Sequence, residues 1–203
     1  MKGGFIDPNA YHDTRGNSEV TFNMLALFDS PFEYFGFVNF TGTENNSDLG
    51  TYYTEHTVRW KFSAPFHLAA QVVFRNGSKN DSYRLGLRWV ANQTSGLKNI
   101  MNKLHFNYAV TIFVFDANFG DQYFLTQIEH AYRFSFLKNK LYISGFADQN
   151  INLESDDFFV WVTEHQFGIQ LLPCFYAVAE FRINEFRNET TGVGLGLEYV
   201  IMF

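Results

Sequence analysis

Charged side chains recur along this chain at spacings of two or four residues. Glu55, Arg59 and Lys61 form one such run, Arg84 and Arg88 a second, Glu129 and Arg133 a third, and Glu180 with Arg182 a fourth. Glu19, Arg75, Asp148, Glu164 and Glu198 sit in stretches of the same alternating kind. On an extended strand such spacing places every charge on one face, with the intervening apolar residues on the other. The chemistry open to that face is electrostatic: pairing of opposite charges, capture of a charged ligand, or selection among solutes. Arg84 and Arg88, two strand steps apart, could grip an anion such as phosphate. Pairing with neighbouring glutamates is the preferred reading, because the row carries seven acidic and seven basic residues.

Catalysis and metal binding find less support. His56, His130 and His165 fall on the apolar row, where an ionisable group needs a reason to be. Ser144 falls on the charged row, and no His-x-Ser pair shares the apolar one. Glu164 and His165 are adjacent and so point to opposite faces, which excludes them as a metal pair. The acidic stretch Glu154, Asp156 and Asp157 reads as a solvated loop in preference to a calcium site. We therefore expect no enzymatic activity, no metal and no cofactor. A net charge of −6 gives no reason to expect nucleic acid as a partner. Cys174 is the single cysteine, beside Pro173, and reads as an inert turn residue.

The elements that position the charges are strands. Aromatic residues make up 19% of the chain, with 25 Phe and 11 Tyr, yet mean hydropathy is only −0.16. Apolar residues are thus interleaved with polar ones, and no run approaches the ~20 residues of a membrane helix. The last stretch shows the pattern most clearly: Val193, Leu195, Leu197, Tyr199, Ile201 and Phe203 on one face, Gly194, Gly196 and Glu198 on the other. One side in lipid and one side wet is the signature of a transmembrane β-barrel strand. Eleven clear strands are predicted near 19–28, 33–41, 51–62, 67–75, 82–91, 104–115, 122–136, 141–149, 158–171, 175–186 and 192–203. Residues 1–17, interrupted by Pro8 and Gly16, are expected to supply an irregular twelfth strand, giving an all-β, antiparallel, up-and-down barrel in one domain. Short turns at 29–32, 63–66, 138–140 and 172–174 alternate with longer polar loops at 41–50, 76–81, 116–121, 149–157 and 187–191, as periplasmic turns alternate with external loops. The segment 92–103 is a long connection on the short-turn side. Met1-Lys2-Gly3-Gly4 lacks an apolar leader, so export implies that one has been removed.

A chain ending on phenylalanine after such a row resembles the insertion signature of bacterial outer-membrane barrels. Tyr11-His12-Asp13-Thr14-Arg15-Gly16, followed by Phe28-Asp29-Ser30-Pro31-Phe32-Glu33-Tyr34-Phe35-Gly36-Phe37, is similar to the start of the Tsx-type nucleoside-specific channels, which are twelve-stranded. Ser144-Gly145-Phe146-Ala147-Asp148 and Val162-Thr163-Glu164-His165-Gln166-Phe167 resemble uncharacterised outer-membrane proteins of the same architecture. The resemblance implies a bacterial outer-membrane location among outer-membrane lipids, a small polar solute, nucleosides being the family's class, and His12 and Arg15 as pore residues. Gly16 stands where that motif carries a nucleoside-contacting aromatic residue.

With the charged row facing a lumen, its balance matters, because a charge-selective pore favours one sign. A mixed row suits a pore for neutral polar solutes. It equally suits an ion-paired interior that closes the barrel and leaves it a subunit of an outer-membrane protein complex. Asn23, Gln71, His105, Asn107, Thr111, Gln127, Tyr142, Ser144, Phe146, Gln166 and Gln170 share that row. They could hydrogen-bond to and stack on a solute, or simply solvate the wall. Glu198 needs a basic neighbour, for which Arg182, Arg15 and His12 are the candidates.

Overall fold

A strand with one face in lipid finds no water there for its backbone, so every N–H and C=O needs another strand and the last strand must return to the first. A computed structural model describes residues 1–43, 46–77, 80–118, 125–152 and 159–203, and within them this requirement is met by one antiparallel sheet closed on itself. Its strands are β1 (Gly3–Asp13), β2 (Asn17–Leu27), β3 (Phe32–Thr43), β4 (Asn46–Lys61), β5 (Phe66–Arg75), β6 (Ser82–Val90), β7 (Phe106–Asn118), β8 (Leu125–Phe136), β9 (Leu141–Asn152), β10 (Phe159–Leu172), β11 (Phe175–Asn184) and β12 (Thr191–Tyr199). β12 resumes after Val200 as the two-residue β13 (Ile201–Met202). Each strand pairs with its chain neighbour, and β1 pairs with both β12 and β13, so twelve staves close the cylinder.

The seam differs from the expectation for residues 1–17. β1 is a regular strand, in register with β2 from Gly3 opposite Leu27 to His12 opposite Ser18. The irregularity lies on its other edge. Pro8 has no N–H to donate, and the ladder between β1 and the last strand lapses between Ile6–Ile201 and Asn9–Glu198. On its other edge the last strand stays paired, the Val200 N–H donating to the Cys174 carbonyl at 2.8 Å. Beyond the gap, Gly4 and Phe203 exchange both backbone hydrogen bonds, at 2.8 and 3.2 Å.

Strands run further than the hydrophobic pattern implied. β3 and β4 occupy most of 41–50, and β7 and β9 reach Asn118 and Asn152. The apolar alternation stops where lipid stops, but backbone pairing is indifferent to side-chain polarity and continues. The 92–103 connection holds a 3-10 turn (Ala91–Gln93) and a short helix, α1 (Lys98–Lys103). Among the described residues no helix is long and apolar enough to cross a membrane. The 153–158 stretch, with Glu154, Asp156 and Asp157, lies outside the described residues.

Along each strand burial alternates, but inverted relative to a soluble protein. On β12 the apolar row is exposed, Leu195 at 68%, while Glu198 opposite is 2% exposed. On β6, Leu85 and Leu87 point outward, and Arg84 is buried inside. An exterior this apolar is a lipid-facing surface. Leu85→Arg, near the middle of β6, should therefore destabilise the barrel in liposomes by about 2–4 kcal/mol, read by denaturant unfolding of the reconstituted protein. An unchanged midpoint would mean that this row does not face hydrocarbon.

Candidate functional site: the charged lumen

The inward rows of β4 to β8 build one polar cluster. The Arg84 guanidinium donates to Asp116 Oδ2 and Gln71 Oε1, both at 3.0 Å, and to Gln127, with Glu55 4.0 Å away. Gln71 also donates to Glu55 at 3.0 Å and to Thr57 at 3.2 Å, and the Tyr53 hydroxyl donates to Glu55. Arg75 lies over the Tyr53 ring at 5.3 Å. Nearer the turns at 62–65, Arg88 donates to Thr111 at 3.0 Å and Glu129 at 3.2 Å. Arg59 and Lys61 converge on Glu33 at 3.3 and 2.7 Å. Buried His67 hydrogen-bonds Gln93 at 3.3 Å.

A second cluster occupies the wall from β9 round to β2. Arg182 binds Glu19 and Glu180, and Glu164 at 3.4 Å, with the Tyr11 ring 5.5 Å below its guanidinium. Tyr11 donates to Gln166 at 3.3 Å, Gln166 donates to the Tyr142 hydroxyl at 2.6 Å, and Tyr142 donates to Glu198. The chain thus crosses from β1 to β10 and from β9 to β12. Tyr142 can lie flat there because Gly168 has no Cβ; one would sit 2.1 Å from the ring. Arg133 stacks on the other side of Tyr142, 3.9 Å from its centroid. Glu198 thus takes a tyrosine hydroxyl in place of the basic partner that its sequence context called for.

Two resemblance-derived residues part company. Arg15 folds over the mouth at Gly192 and binds Asp13 through Nη2 at 2.5 Å. His12 is on the outward row of β1, exposed, with Nδ1 3.2 Å from Ser18 Oγ. It is not a pore residue, because the parity of β1 sends Tyr11 and Asp13 inward and His12 out. The outward histidines each meet a hydroxyl: His56 pairs with Tyr34 at 2.6 Å and Thr54 at 3.1 Å, His130 with Tyr108 at 2.8 Å, and His165 with Tyr132 at 2.7 Å. His105 leaves the strand pattern altogether. It stands before β7 with a φ of 49° and lines an open cavity of about 350 Å³ at the end of the barrel that carries α1.

No protein-family model matches the chain, and no curated protein sequence matches it either. Solved structures do. The KdgM porin superposes with a TM-score of 0.60 over 96% of this chain and 98% of that one, at 15% identity. A KdgM porin complex with disordered oligogalacturonate gives 0.59 at 15% identity, and the NanC porin 0.60 at 8%, each over 96% of this chain and 98% of the other. The chain shares the fold of these porins, here a closed barrel of twelve antiparallel strands.

In this porin fold four inward acids escaped the sequence pattern. Asp7 adjoins Pro8, Asp13 and Glu33 stand at strand ends, and Asp116 lies beyond a β-bulge. There β7 places Phe113 opposite Gly86 but Phe115 opposite Leu85, so Val114 is an extra residue. Above it the parity of β7 inverts. Alternation from Thr111 and Phe113 would send Asp116 into lipid; the bulge delivers it to Arg84. With Arg15 added, the inward face carries eleven carboxylates (Asp7, Asp13, Glu19, Glu33, Glu55, Asp116, Glu129, Asp148, Glu164, Glu180, Glu198). Against them stand eight bases (Arg15, Arg59, Lys61, Arg75, Arg84, Arg88, Arg133, Arg182), so the balance read from strict alternation gives way to an acidic excess among the described residues.

The Arg84 and Asp116 side chains are only 7% and 2% exposed, so removing one strands the other in a low-dielectric wall. Asp116→Ala should lower stability by about 3–5 kcal/mol, and a paired Arg84→Met, Asp116→Leu change should recover much of it. Unfolding in detergent measures both, and equal losses in the two variants would deny the pair its isolation from water.

Proposed function

We propose that this barrel is a passive channel of the bacterial outer membrane for small polar solutes. In a closed ring of twelve strands β6 faces β12 and β3 faces β9. The inward residues of β5–β7 and of β11, β12 and β1 are mostly buried under the two charged clusters. On the other two walls a run of inward residues keeps partial exposure: Phe35, Phe37 and Asn39 of β3, and Ser144, Phe146 and Asp148 of β9, flanked by Glu129, Arg133 and Glu164. This opposed pair of partly exposed walls is the observation that carries the reading, because it marks a slot bounded by two packed sides. Its aromatic and amide lining suits a flat, hydrogen-bonding solute. Nucleosides, the class implied by the resemblance to Tsx-type channels, fit that description. With Gly16 in place of the motif's aromatic and His12 facing outward, Phe37 and Phe146 are the residues to stack on such a solute.

The extent of wall packing favours one alternative, a barrel closed by its ion pairs that serves an outer-membrane protein complex. The two readings part in a planar bilayer. A channel gives discrete conductance steps, and Phe146→Trp lowers each step by roughly a half, as side-chain bulk in a narrow pore dictates. A folded, inserted protein that never conducts, and that leaves the membrane under gentle extraction bound to another protein, supports the alternative.

A further inference from the structure

The charge inventory and the disposition of each charge point to a preference among solutes. The arginines are committed to the walls. Arg59, Arg84, Arg88 and Arg182 are each held by a carboxylate, Arg133 lies over Tyr142, and Arg75 over Tyr53. The carboxylates are not so fully used. Beside the slot Glu164 and Glu129 retain 25% and 16% side-chain exposure, against 15% and 11% for their partners Arg182 and Arg88.

A second observation is independent of exposure. Asp7, Asp116, Asp148 and Glu180 each have one buried carboxylate oxygen without a hydrogen-bond partner, and the Asp116 and Glu180 residues are only 5% and 2% exposed. Among the basic lumen groups the corresponding orphans are Arg59 Nε and His67 Nδ1. The interior thus holds more unused acceptors than unused donors. Glu129, Asp148 and Glu164 stand together on β8–β10, where Asp148 is in register with Glu129 on one side and with Val162, two residues from Glu164, on the other. The β3 wall opposite is aromatic and amide, with no base among Phe35, Phe37, Asn39 and Thr41.

We propose that the slot between β3 and β9 favours cations and amine-bearing solutes and turns away carboxylates. The inference rests on the channel reading and adds the charge class of the solute. A carboxylate entering the slot meets like charge at Glu129 and Glu164, and the one guanidinium beside it without a carboxylate partner, Arg133, lies against the Tyr142 ring. An ammonium group meets acceptors on that side and aromatic faces on the other, both favourable to it.

The test is the zero-current potential of the purified full-length protein in a planar bilayer under a potassium chloride gradient. A potassium-to-chloride permeability ratio above about three is expected, as for an acid-lined pore, and liposome swelling should be faster with glucosamine than with galacturonate. In the double variant Asp148→Asn, Glu164→Gln, with barrel folding checked by heat-modifiable gel mobility, the ratio should fall toward one. A conducting wild-type channel with a ratio of one or less overturns the charge preference and leaves the channel reading standing. An inserted barrel that carries no current overturns the channel reading itself and the preference with it. The wild-type ratio decides the matter even where the double variant fails to fold.

Discussion

Every part of this molecule answers to one constraint: hydrocarbon offers nothing to a backbone hydrogen-bonding group. The sheet can have no edge, so β1 and the last strand must meet whatever their local sequence prefers. Pro8 makes that meeting imperfect. Its missing donor opens a two-residue lapse in the ladder, and the seam closes again beyond the gap where Gly4 and Phe203 bind each other. The terminal phenylalanine is a backbone partner in the seam as well as the end of the lipid-facing row.

The same scarcity of water governs the side chains on both faces. Outside, His56, His130 and His165 would each leave polar nitrogens in an apolar setting, and each is hydrogen-bonded to a tyrosine hydroxyl from the adjacent strand or the next but one. Inside, charges crowd against walls that exclude solvent, and they persist by binding one another. Such pairs add little net stability, since desolvation offsets most of the attraction, but breaking one is costly. Their effect here is geometric. Side chains reaching over one strand, Arg84 to Gln127, or over two, Tyr142 to Glu198, hold two opposite walls and leave the other two facing each other across what space remains.

That arrangement changes what the lumen means. Counted along the strands, its acids and bases cancel. Counted by what each side chain touches, most of the bases are held by carboxylates or rings, and the larger number of acids leaves carboxylate oxygens without partners. For the channel proposed above, selectivity depends on the second count, because a solute responds to charge that is not already neutralised at close range.

Much of the fold was legible in the order of residues. Period-two alternation from Val20 to Phe203 locates the strands, assigns lipid and lumen faces, and puts Glu55, Arg84, Arg88, Glu129, Glu164, Arg182 and Glu198 inside, because a side chain's face on a regular strand depends only on counting. Counting fails where the backbone departs from regularity. At Val114 one extra residue inverts the face of Asp116, at the Pro8 seam Asp7 hides in a segment with no readable period, and past the bilayer the strands continue with no apolar row to mark them. Partners were less legible still. Arg84 with Asp116 and Tyr142 with Glu198 lie 32 and 56 residues apart in the chain. Sequence determined which groups enter the lumen; which of them neutralise each other depends on shear and closure, which bring distant strands to one level only once the sheet has curled into a cylinder.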